Sequence, residues 1–210
     1  MLQFISHFIH NAIQRLSPCV LCGIDHQHHH SVCSDCWQQL PWLKQNIQRQ
    51  EMQIQVACHY AYPMDRIIQK FKYEQQLHFQ NLLAGSLSSL RLPKIQAIVP
   101  MPISSQRLAE RGYNQSLVLA RILAKQLNIP VWQPVARLVQ HSQKGLSRIE
   151  RLDQIEQQFV IATKTRIQYR KVLMLDDVVT TGSSLHALKQ KLQQLGCEKV
   201  YAACIASAET

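Results

Sequence analysis

Two apolar periodicities alternate along this chain of 210 residues. Val172 to Leu175 is a short, unbroken apolar run, the pattern of a strand buried on both faces of a parallel sheet. A helical stripe of Leu185, Leu188, Leu192 and Leu195 follows, with Gly196 as its stop. Upstream, Ile54, Val56, Cys58 and Tyr60 alternate within Gln53 to Tyr60 and predict an early strand. Tyr62 to Tyr73 reads as a turn and a basic helix, and Leu77 to Leu90 as a second helix. Ala97 to Pro100 is a short apolar strand, closed by Met101-Pro102 because proline cannot donate to a ladder. Gly112 interrupts the next helical pattern, and Asn114 is the expected N-cap of a helix through Leu127. Val135 to Val139, Phe159 to Ala162 and Lys199 to Ala206 complete the expected strands. Strands separated by helical segments predict an α/β fold with a parallel sheet.

The first residues behave differently. Leu2, Ile5, Phe8/Ile9, Ala12/Ile13 and Leu16 share one helical face, but Gln3, His7, His10 and Gln14 interrupt it and no basic start precedes it. This is a poor signal peptide, and a short amphipathic helix packed on the body is expected. No stretch of eighteen apolar residues exists, so no membrane span is expected and the location is read as cytoplasmic.

Cys19-x2-Cys22 and Cys33-x2-Cys36 form two thiol knuckles ten residues apart. Four thiolates at that spacing can occupy the corners of one tetrahedron, the demand of a structural Zn²⁺ site. A disulfide framework is disfavoured in a reducing compartment. His26, His28, His29 and His30, between the knuckles, read as solvated loop residues because four cysteines already close the shell. Trp37 and Trp42 are expected to cover the knuckle, and Cys58, Cys197 and Cys204 to be small core residues. The expected organisation is an N-terminal helix plus zinc-binding domain over 1–50 and an α/β domain over 51–210.

Charge narrows the ligand. The formal net charge is +10. Tyr60 to Arg151 carries 13 Lys+Arg against 4 Asp+Glu, so nearly all the surplus sits there. Polyanionic ligands are implied, either a diphosphate or a nucleic-acid backbone. Lys70 and Lys72 can share a patch with Arg66. Arg107 and Arg111 are one helical turn apart and can face one anion. His141 to Arg151, polar and basic, reads either as an exposed loop or as a lid bringing Lys144, Arg148 and Arg151 over a reacting diphosphate.

The most specific chemistry lies after the apolar run. Asp176 and Asp177 follow at once, then Val178, Val179 and the polar turn Thr180-Thr181-Gly182-Ser183-Ser184. In open α/β sheets ligands sit off the carboxyl ends of strands, with phosphates at the N-termini of the following helices. The hydroxyls and free N–H groups can wrap a phosphate, and Gly182 permits close approach. Two carboxylates beside it suit a vicinal diol, with Mg²⁺ nearby. A sugar phosphate fits. No Gly-x-x-x-x-Gly-Lys-Ser/Thr run supports a P-loop NTPase.

Lys171 to Ser184 resembles the phosphoribosyl diphosphate (PRPP) signature of type I phosphoribosyltransferases. That resemblance implies a type I phosphoribosyltransferase-like, Rossmann-type sheet, with Asp176 and Asp177 on the ribose hydroxyls, Thr180 to Ser184 around the 5′-phosphate, and Val178 and Val179 within the same PRPP-binding run. The whole order is two CxxC knuckles, Phe71-Lys72-Tyr73, Val99-Pro100-Met101-Pro102, Arg111-Gly112-Tyr113-Asn114-Gln115, a basic loop ending in Arg151, and the signature. It is similar to that of the competence protein F (ComF) family. Gln157-Gln158 departs from that family, many of whose members have Gly-Ala before the phenylalanine. The resemblance implies PRPP with Mg²⁺, structural Zn²⁺, and a role in natural transformation, with single-stranded DNA and the DNA-uptake machinery as partners. An active phosphoribosyltransferase of nucleotide metabolism, with a nitrogen acceptor and no DNA role, is the alternative. Phe71, Tyr73 and Tyr113 could stack on bases or pack in the core.

Overall fold

The apolar run becomes part of a central strand, β6 (Lys171–Val179), with β7 (Lys199–Ser207) and β3 (Ala97–Pro100) parallel to it on either side. β2 (Met52–His59) continues parallel beside β7, and β1 (Trp42–Arg49) pairs antiparallel with β2. The order of this five-stranded sheet is β1-β2-β7-β6-β3. The computed structural model describes residues 17–139, 156–162 and 168–208. The helix expected over Met1 to Leu16 and the segment with Lys144, Arg148 and Arg151 lie outside the described residues.

Alternate residues of β6 serve opposite faces, as the period of a strand requires. Leu173 and Leu175 join Ile98, Ala203 and Ile205 in one apolar cluster. That cluster is covered by α2 (Met64–Tyr73), α3 (Gln80–Ser88) and α5 (Gln115–Leu127), through Phe71, Leu83 and Leu123 among others. Val172 and Met174 join Ala202 and Cys204 in the other cluster, against Leu185, Leu188 and Leu192 of α6 (Ser183–Gln194). With helices on both faces, this is an α/β sheet of the expected class. Val135 and Phe159, from a small antiparallel pair of β4 (Val135–Arg137) and β5 (Phe159–Ile161), pack on the second cluster.

Two sequence expectations change and one holds. The signature strand does not end at Leu175: pairing with β7 continues through Asp176↔Cys204, Val178↔Ala206 and Val179↔Ser207. The acid pair therefore sits inside the strand, because β7 stays in register to its end. As expected, Gly112 interrupts the helical pattern: α4 (Ser105–Arg111), capped by Ser104, stops there at φ +80°. Finally, β1 was not expected; it lies on the N-terminal side of residue 50 and joins the main sheet.

The knuckle packs on this body. Cys33 caps α1 (Ser34–Gln38), its Sγ accepting from the Cys36 N–H at 3.4 Å. Cys19, Val32, Cys33 and Leu40 are buried in the same cluster as α2 and α3.

Candidate functional site

The site forms where β6 and β3 end and α4 and α5 begin. Asp177, 7 % exposed, takes an ion pair from Lys72 Nζ at 2.8 Å. Ser116 Oγ, in the first turn of α5, donates to Asp176 Oδ1 at 3.2 Å. Asn114 Oδ1 accepts from the Leu117 N–H at 3.1 Å, and its amide donates to the Met101 carbonyl at 3.1 Å, tying the helix start to the end of β3. Each carboxylate also accepts from the next backbone N–H: Asp177 N–H to Asp176 at 2.9 Å, and Val178 N–H to Asp177 at 2.7 Å.

Burial, reinforced by the Asp177 charge, pushes the Asp176 carboxyl up to about 7, against the pull of Lys72. Burial works to lower Lys72, but the attraction of Asp177 prevails and raises it. The pair is therefore a strained array of like charges held by one cation, and hydroxyl donors would relieve it.

A cavity of about 370 Å³ opens beside these groups. Asp176, Asp177 and Ser184 line one part of it, and Lys72, Arg107 and Arg111 also face it. Arg111 stacks on Tyr73, its guanidinium carbon 5.0 Å from the ring centroid. The two arginines one turn apart thus line the same cavity as the acid pair. Val178 is half-buried and Val179 is 2 % exposed, at the end of β6. Next comes the turn, where Thr181 Oγ1 and Ser183 Oγ lie 3.0 Å apart and Gly182 adopts φ +78°. A Cβ on Gly182 would come 2.8 Å from Cβ of Arg49, so glycine is needed for space as well as for φ. Arg49 Nε donates to the Thr180 carbonyl at 3.2 Å, and His186 Nδ1–H to the Gln50 carbonyl at 3.1 Å, so the β1–β2 turn braces this loop.

Sequence reasoning missed Lys72, Ser116, Arg137 and Arg49. Lys72 was read only as able to share a patch with Lys70 and Arg66; its side chain turns inward and is 18 % exposed. A signal existed, because Lys72 stands one turn beyond buried Ile68 and beside buried Phe71. Arg137 likewise shares the inward face of β4 with buried Val135. The aromatics divide: Phe71 is fully buried, Tyr113 packs edge-on against it at 5.6 Å, and Tyr73 is 66 % exposed at the pocket.

The four Sγ atoms of Cys19, Cys22, Cys33 and Cys36 lie within 4.8 Å of one another, with Cys22 and Cys33 at 3.9 Å. A tetrahedral zinc–thiolate site needs edges of about 3.8 Å, so the cluster fits a metal ion of that kind. Burial acts to raise Cys19, but hydrogen bonds from the backbone of Cys22, Cys33 and Leu21 bring it down to about 7. Burial and the neighbouring thiols push Cys36 up. Trp37 and Trp42 meet at 4.7 Å, Trp42 Nε1–H donates to the Trp37 carbonyl at 2.9 Å, and both pack against the apolar cluster that includes Cys19 and Cys33. His26, His28 and His29 are exposed as expected, but His30 is half-buried, packed 5.0 Å from Trp37 and against Gly85 of α3.

Residues 114–210 match the family model described as phosphoribosyl transferase domain. The chain is 32% identical over 202 residues to "Competence protein F" of Haemophilus influenzae, covering 90% of this chain and 83% of that protein. It is 29% identical to "Competence protein ComFC" of Bacillus subtilis, covering 85% and 72% respectively. It is 27% identical to "DNA utilization protein YhgH" of Escherichia coli, covering 89% and 82%.

Proposed function

The chain belongs to the competence protein F family, and from that premise we propose that it is a PRPP-binding phosphoribosyltransferase-like protein of natural transformation. It would work at the cytoplasmic face, on incoming single-stranded DNA. The observation that carries the reading is one cavity in which an acid pair, a helix start and the guanidiniums of Arg107, Arg111 and Arg137 converge. Asp176 and Asp177 accept from the ribose hydroxyls, which suit two carboxylates held close together. Thr180 to Ser184, following Val178 and Val179 of the same PRPP-binding run, surround the 5′-phosphate at the start of α6. Arg107 and Arg111 face the diphosphate, and Lys144, Arg148 and Arg151, outside the described residues, are further candidates for neutralising it.

The carboxylates and the diphosphate are hard oxygen donors that fit Mg²⁺, which when bound neutralises the diphosphate charge. Lys72 holds Asp177 in place, at 2.8 Å, until ribose hydroxyls arrive. Cys19, Cys22, Cys33 and Cys36 hold a structural Zn²⁺. Support for the DNA role comes from the relatives' names and from the surplus of positive charge between Tyr60 and Arg151.

The paired arginines also suit a departing diphosphate and favour a second reading, an active phosphoribosyltransferase of nucleotide metabolism with no DNA role. There the protein's contribution is positioning and charge stabilisation. One zinc-loaded preparation separates the readings. PRPP with Mg²⁺ should raise Tm by several degrees, and single-stranded DNA should bind with an affinity that falls steeply as salt rises. Diphosphate release with a nitrogenous acceptor, and no DNA binding at low salt, would establish the second reading instead. Absence of a PRPP effect would overturn both.

A further inference from the structure

A second cavity, of about 240 Å³, adjoins the first and shares Arg107 and Arg137 with it. Its other walls include Ser104, Leu138 and Gln158. Gln158 is 5 % exposed, and its Oε1 accepts two bonds from one guanidinium, Arg137 Nε at 3.2 Å and Nη2 at 3.1 Å. Its amide nitrogen is buried without a hydrogen-bond partner among the described residues. Such an orphaned donor costs on the order of 1–3 kcal/mol unless a ligand satisfies it. Arg137 also stacks on Phe159, 5.2 Å from the ring centroid, which fixes the plane of its guanidinium. Burial and the nearby Arg107 charge both work against the Arg137 cation, although an arginine stays protonated. Glu110, on the rim, is already engaged by Gln106 Nε2 at 3.0 Å.

Two guanidiniums lining one cavity, that of Arg137 half-buried and bound to a glutamine whose amide donor is unpaired, ask for an acceptor-only, negatively charged group. We propose that the second cavity is an oxyanion subsite in which Arg107 and Arg137, the latter positioned by Gln158, hold a phosphoryl or carboxylate group. It extends the PRPP reading beyond Arg111, and it rests on that reading only for the source of the oxyanion. The group is either the outer phosphoryl of PRPP or an acid group on a second ligand bound beside it.

Calorimetric titrations of the full chain with inorganic diphosphate, PRPP and ribose 5-phosphate test this. The variants are Arg137→Gln and Gln158→Glu; the second keeps the acceptor for Arg137 but places a negative charge in the subsite. Both should weaken inorganic diphosphate at least tenfold and leave ribose 5-phosphate unchanged, and Arg137→Lys should recover part of the loss. A parallel tenfold loss for PRPP assigns the oxyanion to its outer phosphoryl. Unchanged PRPP affinity, with diphosphate binding to the PRPP-saturated wild type but not to the variants, assigns it to a second ligand. Diphosphate affinity within twofold of wild type in both folded variants overturns the subsite. Ribose 5-phosphate failing to bind the wild type, while diphosphate binding stays Arg137-dependent, would sink the PRPP reading and leave the subsite standing.

Discussion

Asp176 and Asp177 differ in how their charge is balanced. Lys72 neutralises Asp177 directly at 2.8 Å, while Asp176 has a neutral hydroxyl from Ser116 and a carboxyl pushed up to about 7. The folded chain therefore holds a proton on Asp176 that the unfolded chain, with an ordinary value of 3.8, gives up much earlier. Between about pH 4 and 7 the native state binds more protons, so this group's contribution to stability falls as pH rises through that window. Asp176→Asn should flatten that fall and raise Tm at pH 7.5 by roughly 2–4 °C, while abolishing PRPP binding. Thermal scans across pH check it; an unchanged slope would show that Asp176 titrates normally. The acid pair was legible in the sequence because an apolar run, two carboxylates and a hydroxyl-glycine turn coincide. Lys72 carried only a weak signal, its place one turn beyond Ile68, because a lysine among Arg66 and Lys70 looks like one more residue on a solvated helix face. Only the placement of α2 over the end of β6 shows that its side chain reaches Asp177.

At the level of elements, strands with apolar runs and helices with marked caps were legible, and those with neither were missed. Asn114 and Gly112 mark the limits of α5 and α4 through side-chain capping and positive φ, and both act as read. β1 has no such mark. Lys44, Gln45 and Asn46 are exposed in it, and a register shift between Trp42 and Gln45 breaks the alternation. Its turn to β2 uses Gln50 and Glu51 at φ +47° and +56°, without the Asn-Gly or Asp-Gly that usually announces two such residues. α3 carries another unannounced contact. A Cβ on Gly85 would overlap the His30 ring, so this glycine seats the knuckle loop on the helix. Gly→Ala in a helix ordinarily stabilises by up to about 1 kcal/mol; here Gly85→Ala should lower Tm and speed zinc loss to a chelator. His30→Ala in the same chain should restore the ordinary benefit. Stabilisation by Gly85→Ala alone would show that the loop does not rest on α3.

Across the whole molecule, the cysteine knuckle and the sheet share one apolar cluster: Cys19 and Cys33 are buried with Phe71, Leu83 and Leu175. Metal bound by the four thiols therefore contributes to the stability of the body as well as of the knuckle. Chelation should lower Tm in one cooperative transition, followed by circular dichroism. A separate low-temperature transition with the main one unmoved would mean that the knuckle folds independently. Among the described residues no helix is long and apolar enough to cross a membrane, and the positive surplus lies on the segment that carries Arg107 and Arg111. The central claim is that this body holds PRPP at the carboxyl end of β6. Its most direct test is calorimetric titration of PRPP with Mg²⁺ into zinc-loaded protein, beside the Asp176→Ala/Asp177→Ala variant. Saturable binding by the wild type, lost in a variant that remains folded, is the predicted result. Equal binding by both proteins, or none by a folded wild type, would contradict it.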